Sequence, residues 1–361
     1  MIKLALTCLC SFLLSSADAQ QNLVDSITKE LQHPMADTNR ALSMMRLAID
    51  YELVDTAKAF KAYRDAIKFA REKNLYYNLG RIYQNQSVLL SNTGDDEQAR
   101  ASLDTAIIFY RKSDNPKAKK YEANAYSDLA NRLKNQNEFQ QAIQYYLKGI
   151  GILENLELNA ELVVVFCNVS TLFGDIKEYD KQKEYAYKAL AAAKKTGLNQ
   201  KLFTAYFILA NSFLQQEDNL AAKKYIDSSG MYFDEGAHIN SVDVIFSYYL
   251  IYAQVFKSFK QLDSSFYYFQ KCFEESKKYN YSYGKAEAQL QMGAIAILQK
   301  RYKEAEQYLL TGIEEAKTIN YFGMLDVGYK YLSDIYAVTG RYKQAYEYFQ
   351  MYKDVSDSVV N

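Results

Sequence analysis

Only two histidines occur in the 361 residues, His33 and His238. Asp234, Glu235 and His238 carry donor atoms for a metal ion, but they sit in one short stretch that reads as a solvated inter-helix loop. Nucleophilic or acid–base catalysis needs side chains held within hydrogen-bonding reach of one another, and no Ser/His/Asp or Cys/His set offers that. Gly149-Ile150-Gly151 follows no strand, so it is close packing in a helix rather than a phosphate cradle. Lysine clusters such as Lys117-Lys119-Lys120 and Lys277-Lys278 are isolated, and 43 basic residues are balanced by 43 acidic ones. A net charge of zero gives no field for nucleic acid. The chemistry to expect is recognition: no enzyme, no cofactor, no metal.

The elements that would position such a site are helices. Two prolines in this length, beside fourteen glycines, leave few breakers, and 49% hydrophobic residues suffice for a large core. The N-terminus stands apart. Lys3, the apolar run Leu4 to Leu14 and the small residues of Ala17-Asp18-Ala19 have the pattern of a cleavable signal peptide over 1–19, with a mature start near Gln20. The sequence before Cys8 and Cys10 is a poor lipobox, and no later stretch is long and apolar enough to span a bilayer. The expected location is periplasmic or secreted.

An internal register organises the rest. Ala59, Ala99, Ala142, Gln182, Ala222, Ser265, Ala305 and Ala345 follow one another at spacings of 40 or 43 residues. Four residues beyond each comes a mostly bulky apolar position, Tyr63 through Leu309 to Phe349, and seven beyond a mostly small one, Ala66 through Gly312. Twelve before lie Ser87, Ala130, Ser170, Ala210, Ala253, Gly293 and Ser333, all small, each preceded one turn earlier by an aromatic except at Gln289. Chance gives seven small residues in a row with odds on the order of 10⁻⁵. Two helices pack closely where one is small and the other supplies bulk, and such a pair buries its apolar face only by stacking on the next. Thr93-Gly94-Asp95-Asp96, Asn135-Gln136-Asn137, Phe173-Gly174-Asp175 and Thr339-Gly340-Arg341 read as the turns, with glycine as the left-handed stop. Cys167 and Cys272 lie more than two units apart, beyond disulfide reach, and read as small buried hydrophobes. The 34 tyrosines, with no tryptophan, serve as the large packing residue; within Tyr145-Tyr146, Tyr248-Tyr249 and Tyr267-Tyr268 at most one member of each pair can face the core.

Gly293 to Ala316, with Arg301-Tyr302-Lys303-Glu304-Ala305, and Tyr329 to Tyr352, with Arg341-Tyr342-Lys343-Gln344-Ala345, resemble tetratricopeptide (TPR) repeats. The resemblance covers nearly the whole mature chain and implies an all-α fold, a right-handed α-solenoid (superhelix) of TPR-type helical hairpins. Here the unit is about 40 residues rather than the usual 34, so the helices must be longer, and the proline that closes the family's second helix is missing. The expected organisation is a capping segment 20–35, with a helix around Leu23 to Leu31, followed by eight repeats at 36–74, 75–117, 118–157, 158–197, 198–237, 238–280, 281–320 and 321–361. The first repeat lacks the small-residue signature.

In that family the ligand lies in the concave groove lined by the first helices. Carried onto this register, the resemblance points to Asn131, Lys134, Asn135, Asn211, Gln215, Gln254 and Lys257 as residues contacting a peptide or protein ligand. Asparagine disfavours helix interiors, and its amide can donate to and accept from an extended backbone. Ser127 and Phe207 stand where the family's carboxylate clamp needs lysine, so capture of a free C-terminus is not implied. Tyr346 to Asn361 is similar to the stretch closing the exported TPR array of bacterial histidine-kinase and transcription-regulator sensors. This implies the sensor part of a signalling protein; a free-standing periplasmic scaffold or assembly factor is the alternative. Tyr348, Met351 and Tyr352 on the last helix are expected to offer a surface for a homodimer.

Overall fold

The computed structural model describes residues 21–234 and 242–360, with side chains as far as Asp357. The segment read as a signal peptide, together with Glu235 and His238, lies outside the described residues. Every regular element described is a helix. Helix α1 (21–30) leads into α2 (Asp37–Glu52) and α3 (Thr56–Glu72), α4 (Tyr76–Asn92) and α5 (Asp96–Lys112), α6 (Ala118–Asn135) and α7 (Phe139–Asn155), and α8 (Asn159–Asp175) and α9 (Tyr179–Thr196). Then come α10 (Asn199–Gln215) and α11 (Asn219–Gly230), α12 (Val242–Ser258) and α13 (Leu262–Lys278), α14 (Ser282–Leu298) and α15 (Tyr302–Thr318), and α16 (Phe322–Val338) and α17 (Tyr342–Val360). The chain forms two compact units, one to Val169 and one from Ser170.

The long repeat has a simple cause. Most of these helices have 17 residues and are joined by three-residue turns, so the half-repeat is 20 residues. A residue within most of these turns, usually the middle one, adopts positive φ: Asn137, Glu157, Lys177, Gly197 and Glu217 in one series, Lys260, Asn280, Lys300, Asn320 and Gly340 in another. Its neighbour then bonds back across the helix end, as Asp95 N does to Leu90 O at 2.8 Å and Arg301 N to Ala296 O at 2.8 Å. Gly94 and Gly340 are the expected left-handed stops. Gly174 is not. It lies inside α8, Lys177 takes the left-handed place, and a Cβ on Gly174 would meet Gln182 Nε2 at 2.5 Å and Gln215 Oε1 at 2.7 Å. The glycine makes room for two glutamines instead of bending the chain.

The sequence register is a contact register. Within hairpins of the second unit, Ser170 Oγ donates to Gln182 O at 2.8 Å, Ser265 Oγ to Ala253 O at 2.8 Å and Ser333 Oγ to Ala345 O at 2.9 Å. Each bond spans the same 12 residues, pinning the first helix to the second. Where the small residue is Gly293, Leu309 fills the space. Tyr63 and Tyr146 are fully buried, and Tyr63 OH donates to Glu52 Oε1 at 2.5 Å. A tyrosine so placed contributes its ring to the core while its hydroxyl finds a partner. Of the tyrosine pairs, Tyr146 and Tyr248 are buried, Tyr268 is half-buried and Tyr267 is exposed. Cys167 and Cys272 are buried. In the first unit α1 packs Val24 and Ile27 inward, and its Glu30 accepts from Ser43 Oγ of α2 at 2.7 Å.

One expectation about the last helix is corrected. Tyr348 lies 5.4 Å from Tyr336 and 6.0 Å from Tyr329, ring centre to ring centre, and Tyr352 packs on the same core under Lys330. Both tyrosines point inward because they fall on the face that meets α16. The exposed face carries Tyr342, Tyr346 and Phe349, with Met351 beside it.

Candidate functional site

Each unit has an open groove lined by three consecutive first helices. In the second unit, a groove of ≈ 470 Å³ is lined by Thr171 of α8, by Phe207, Ile208, Asn211, Leu214 and Gln215 of α10, and by Ser247, Leu250, Ile251 and Gln254 of α12. Thr171, Asn211 and Gln254 each follow the small residue of their helix, so one register position supplies a hydroxyl and two amides. A turn earlier the same face supplies Phe207, Ile208, Leu250 and Ile251. Gln215 Oε1 accepts from Gln182 Nε2 at 2.6 Å, which holds the carboxamide with its NH2 left to donate.

In the first unit, a groove of ≈ 310 Å³ is lined by Gln84 of α4, by Asn124, Ser127, Asp128 and Asn131 of α6, and by Glu161, Val164, Val165 and Asn168 of α8. Its floor is a polar network. Tyr110 OH donates to Gln84 Oε1 at 2.7 Å, and Gln84 Nε2 donates to Asp128 Oδ2 at 2.7 Å. Burial pushes the Asp128 carboxyl up from its ordinary value, and the bond from Gln84 opposes that shift. Asn131 Oδ1 accepts from the buried phenol of Tyr146, so its NH2 remains to donate.

Of the residues picked from sequence, Asn131, Asn211, Gln215 and Gln254 line these grooves. Lys134 and Asn135 stand beyond the lining, at the end of α6 where Asn135 is exposed. Lys257 also lies outside it. Burial pushes its ammonium down, and Glu287 of α14 opposes the shift. Phe207, Leu250 and Asp128 belong to the lining but were not picked, although the one-turn spacing on the same helices would have found them.

No family model matches the sequence, and no curated protein sequence does. Solved structures match over nearly its whole length. The apo form of the quorum sensor NprR from B. thuringiensis is 12% identical, with a TM-score of 0.62 over 96% of this chain and 99% of that one. A signal transduction ATPase with numerous domains from Pyrococcus horikoshii, which carries a tetratricopeptide repeat sensor, is 14% identical with a TM-score of 0.57. That match covers 94% of this chain and 52% of the other. The fold is a tetratricopeptide-type α-solenoid. A Rap protein solved in complex with Competence and Sporulation Factor shares it at 13% identity and a TM-score of 0.54, over 90% of this chain and 99% of that one. Identities this low establish the architecture; what the tetratricopeptide solenoid binds has to be argued from its grooves.

The grooves present amides, hydroxyls, carboxyl groups and apolar side chains. Among the described residues no group of three or more His, Cys, Asp or Glu is placed to hold a metal ion. Burial pushes the Cys272 thiol far up, which keeps it from serving as a thiolate. Among the described residues no helix is long and apolar enough to cross a membrane.

Proposed function

We propose that this solenoid is a protein-interaction module that takes an extended peptide segment along its first-helix face, as the ligand-binding part of an exported signalling protein. The observation that carries the reading is the second-unit groove, where Thr171, Asn211 and Gln254 recur at one register beside Phe207, Ile208, Leu250 and Ile251. Amides both donate and accept, as an extended backbone requires, while the apolar positions receive side chains. A quorum sensor and a Rap protein complexed with a factor, both built on this fold, lend support. Export rests on the pattern of residues 1–19.

The test is capture of envelope components on the full chain and on its Asn211→Ala/Gln254→Ala variant, with thermal melts showing both equally folded. A ligand held by the wild type and lost by the variant is the expected result. One held equally by both would move the site off this groove. Export is checked by the N-terminal mass of the protein recovered from the envelope; a chain retaining residues 1–19 inside the cell would overturn that part.

A further inference from the structure

One hairpin breaks the packing rule that the others keep. The first register position of the second helices is alanine in six hairpins and serine in a seventh, but α9 carries Gln182 there, a long amide only 2% exposed. Four residues beyond the small position of the first helices, the other hairpins from the second onward carry a side chain, from Ser91 to Ala337, whereas α8 has Gly174. The two exceptions meet. A Cβ on Gly174 would stand 2.5 Å from Gln182 Nε2 and 2.7 Å from Gln215 Oε1, and Gln182 Nε2 donates to that same Gln215 Oε1 at 2.6 Å. A buried amide is a costly way to fill a place that alanine fills elsewhere. The cost is greater because Gln182 Oε1 finds no hydrogen-bond partner among the described residues.

What the buried amide reaches is the groove. Gln215 is the last residue of α10, exposed and part of the lining of the second-unit groove. A glutamine free on the surface loses rotamer freedom when a ligand fixes it. The bond from Gln182 fixes it on folding instead, so that cost no longer weighs on binding, and it leaves the Gln215 NH2 as the donor. The lining has a second property. No residue in it carries a charge, whereas the first-unit groove includes Asp128 and Glu161. A charged side chain laid among Phe207, Ile208, Leu250 and Ile251 would lose water and meet no opposite charge in the lining.

We propose that Gln182, given room by Gly174, is the positioning residue of the second-unit groove, presetting Gln215 to donate to a backbone carbonyl of an uncharged, apolar peptide segment. This rests on the peptide-binding reading of the same groove and adds to it the class of segment and the residue that prepares the site. Gln182 is buried and acts through Gln215; it does not itself meet the ligand.

The probe is an array of acetyl-capped, amidated hexapeptides, titrated against the full mature chain. Peptides bound by the wild type and lost by Asn211→Ala/Gln254→Ala are groove ligands; if there are none, the peptide-binding reading falls and this proposal with it. For such peptides Gly174→Ala should weaken binding about tenfold while melting no earlier than wild type, since its methyl displaces only side-chain ends and alanine is the better helix former. Gln182→Met, which keeps the volume and removes the amide, should give the same loss by a second route. Gln215→Ala should match both, and Gly174→Ala/Gln215→Ala should bind no more weakly than Gln215→Ala alone, because one acts through the other. Groove ligands bound equally by wild type, Gly174→Ala and Gln182→Met would overturn the positioning role and leave the groove reading standing, as would losses that add in the double variant. Lysine or glutamate in place of the peptide's most sensitive apolar residue should weaken binding at least tenfold; charged peptides bound as tightly would overturn the assigned class.

Discussion

The phenol of Tyr146 donates its hydrogen bond to Oδ1 of Asn131, tying the second helix of a hairpin to a residue of the groove lining on the first. Tyr146 is fully buried, and losing a hydrogen-bond acceptor from a buried phenol costs about 1–3 kcal/mol. Asn131→Ala should therefore lower the free energy of unfolding in urea by about that amount, whereas Asn211→Ala should leave it near the wild-type value. Asn131→Ala/Tyr146→Phe should recover most of the loss, because no buried hydroxyl remains. Equal unfolding free energies for the two single variants would show that the bond contributes nothing. The comparison also explains why Asn211 and Gln254 are the cleaner probes of ligand binding.

Gly293 and Leu309 give a second test, because a Cβ on Gly293 would sit 2.7 Å from both Cγ and Cδ2 of the leucine. Alanine is the better helix former by about 1 kcal/mol, yet overpacking a full core costs about 1–3 kcal/mol. Gly293→Ala should destabilise on balance. Leu309→Ala alone should cost about 2–5 kcal/mol through the cavity it leaves. Combining the two should cost less than the sum, since the new methyl enters that cavity. Strict additivity of the denaturation free energies would mean the two residues do not meet as described.

The same pair shows why the fold was legible. A small residue at one place in every first helix is required by the bulk opposite it, and that requirement leaves a trace in composition at a fixed spacing. The turns were legible only where residue type and φ agree, as at Gly94, Asn137 and Gly340. Lys177 and Glu217 take the same left-handed conformation, but both types are common within helices and carry no signal. Gly174 misled in the opposite sense, since its missing side chain serves two glutamines rather than a turn. At the grooves, counting forward from the small residue found Asn131, Asn211 and Gln254 but passed over Asp128, Phe207 and Leu250, one turn back on the same face. Tyr348 and Tyr352 were misplaced because α17 packs the face that carries them on α16 of its own hairpin.

Phe269 and Phe349 hold one register position in two surroundings, 0% and 48% exposed. Phe269→Ala should cost about 3–5 kcal/mol, as expected for a buried ring. Phe349→Ala should cost about 1 kcal/mol because half its surface is already wet. Comparable losses at both sites would mean that Phe349 is buried in solution.

Glu306 of α15 accepts from Arg341 at 3.0 and 2.8 Å, one guanidinium nitrogen on each oxygen, and from Tyr336 OH at 2.8 Å. The bonds from Arg341 hold this carboxyl below its ordinary value against the opposing effect of burial, with a lesser contribution from the tyrosine. A folded pKa lying below the unfolded one means that the folded state binds the proton less readily. The contribution to stability is then complete above about pH 5 and is lost as pH falls through the depressed folded value. Glu306→Gln should melt earlier than wild type at neutral pH, and the gap should close progressively in acid. Arg341→Gln should reproduce the neutral-pH loss, since removing either member breaks the same two bonds. An offset between Glu306→Gln and wild type that stays constant down to pH 3 would trace the effect to packing, because only loss of the charge pair makes the difference vanish when the carboxylate is protonated.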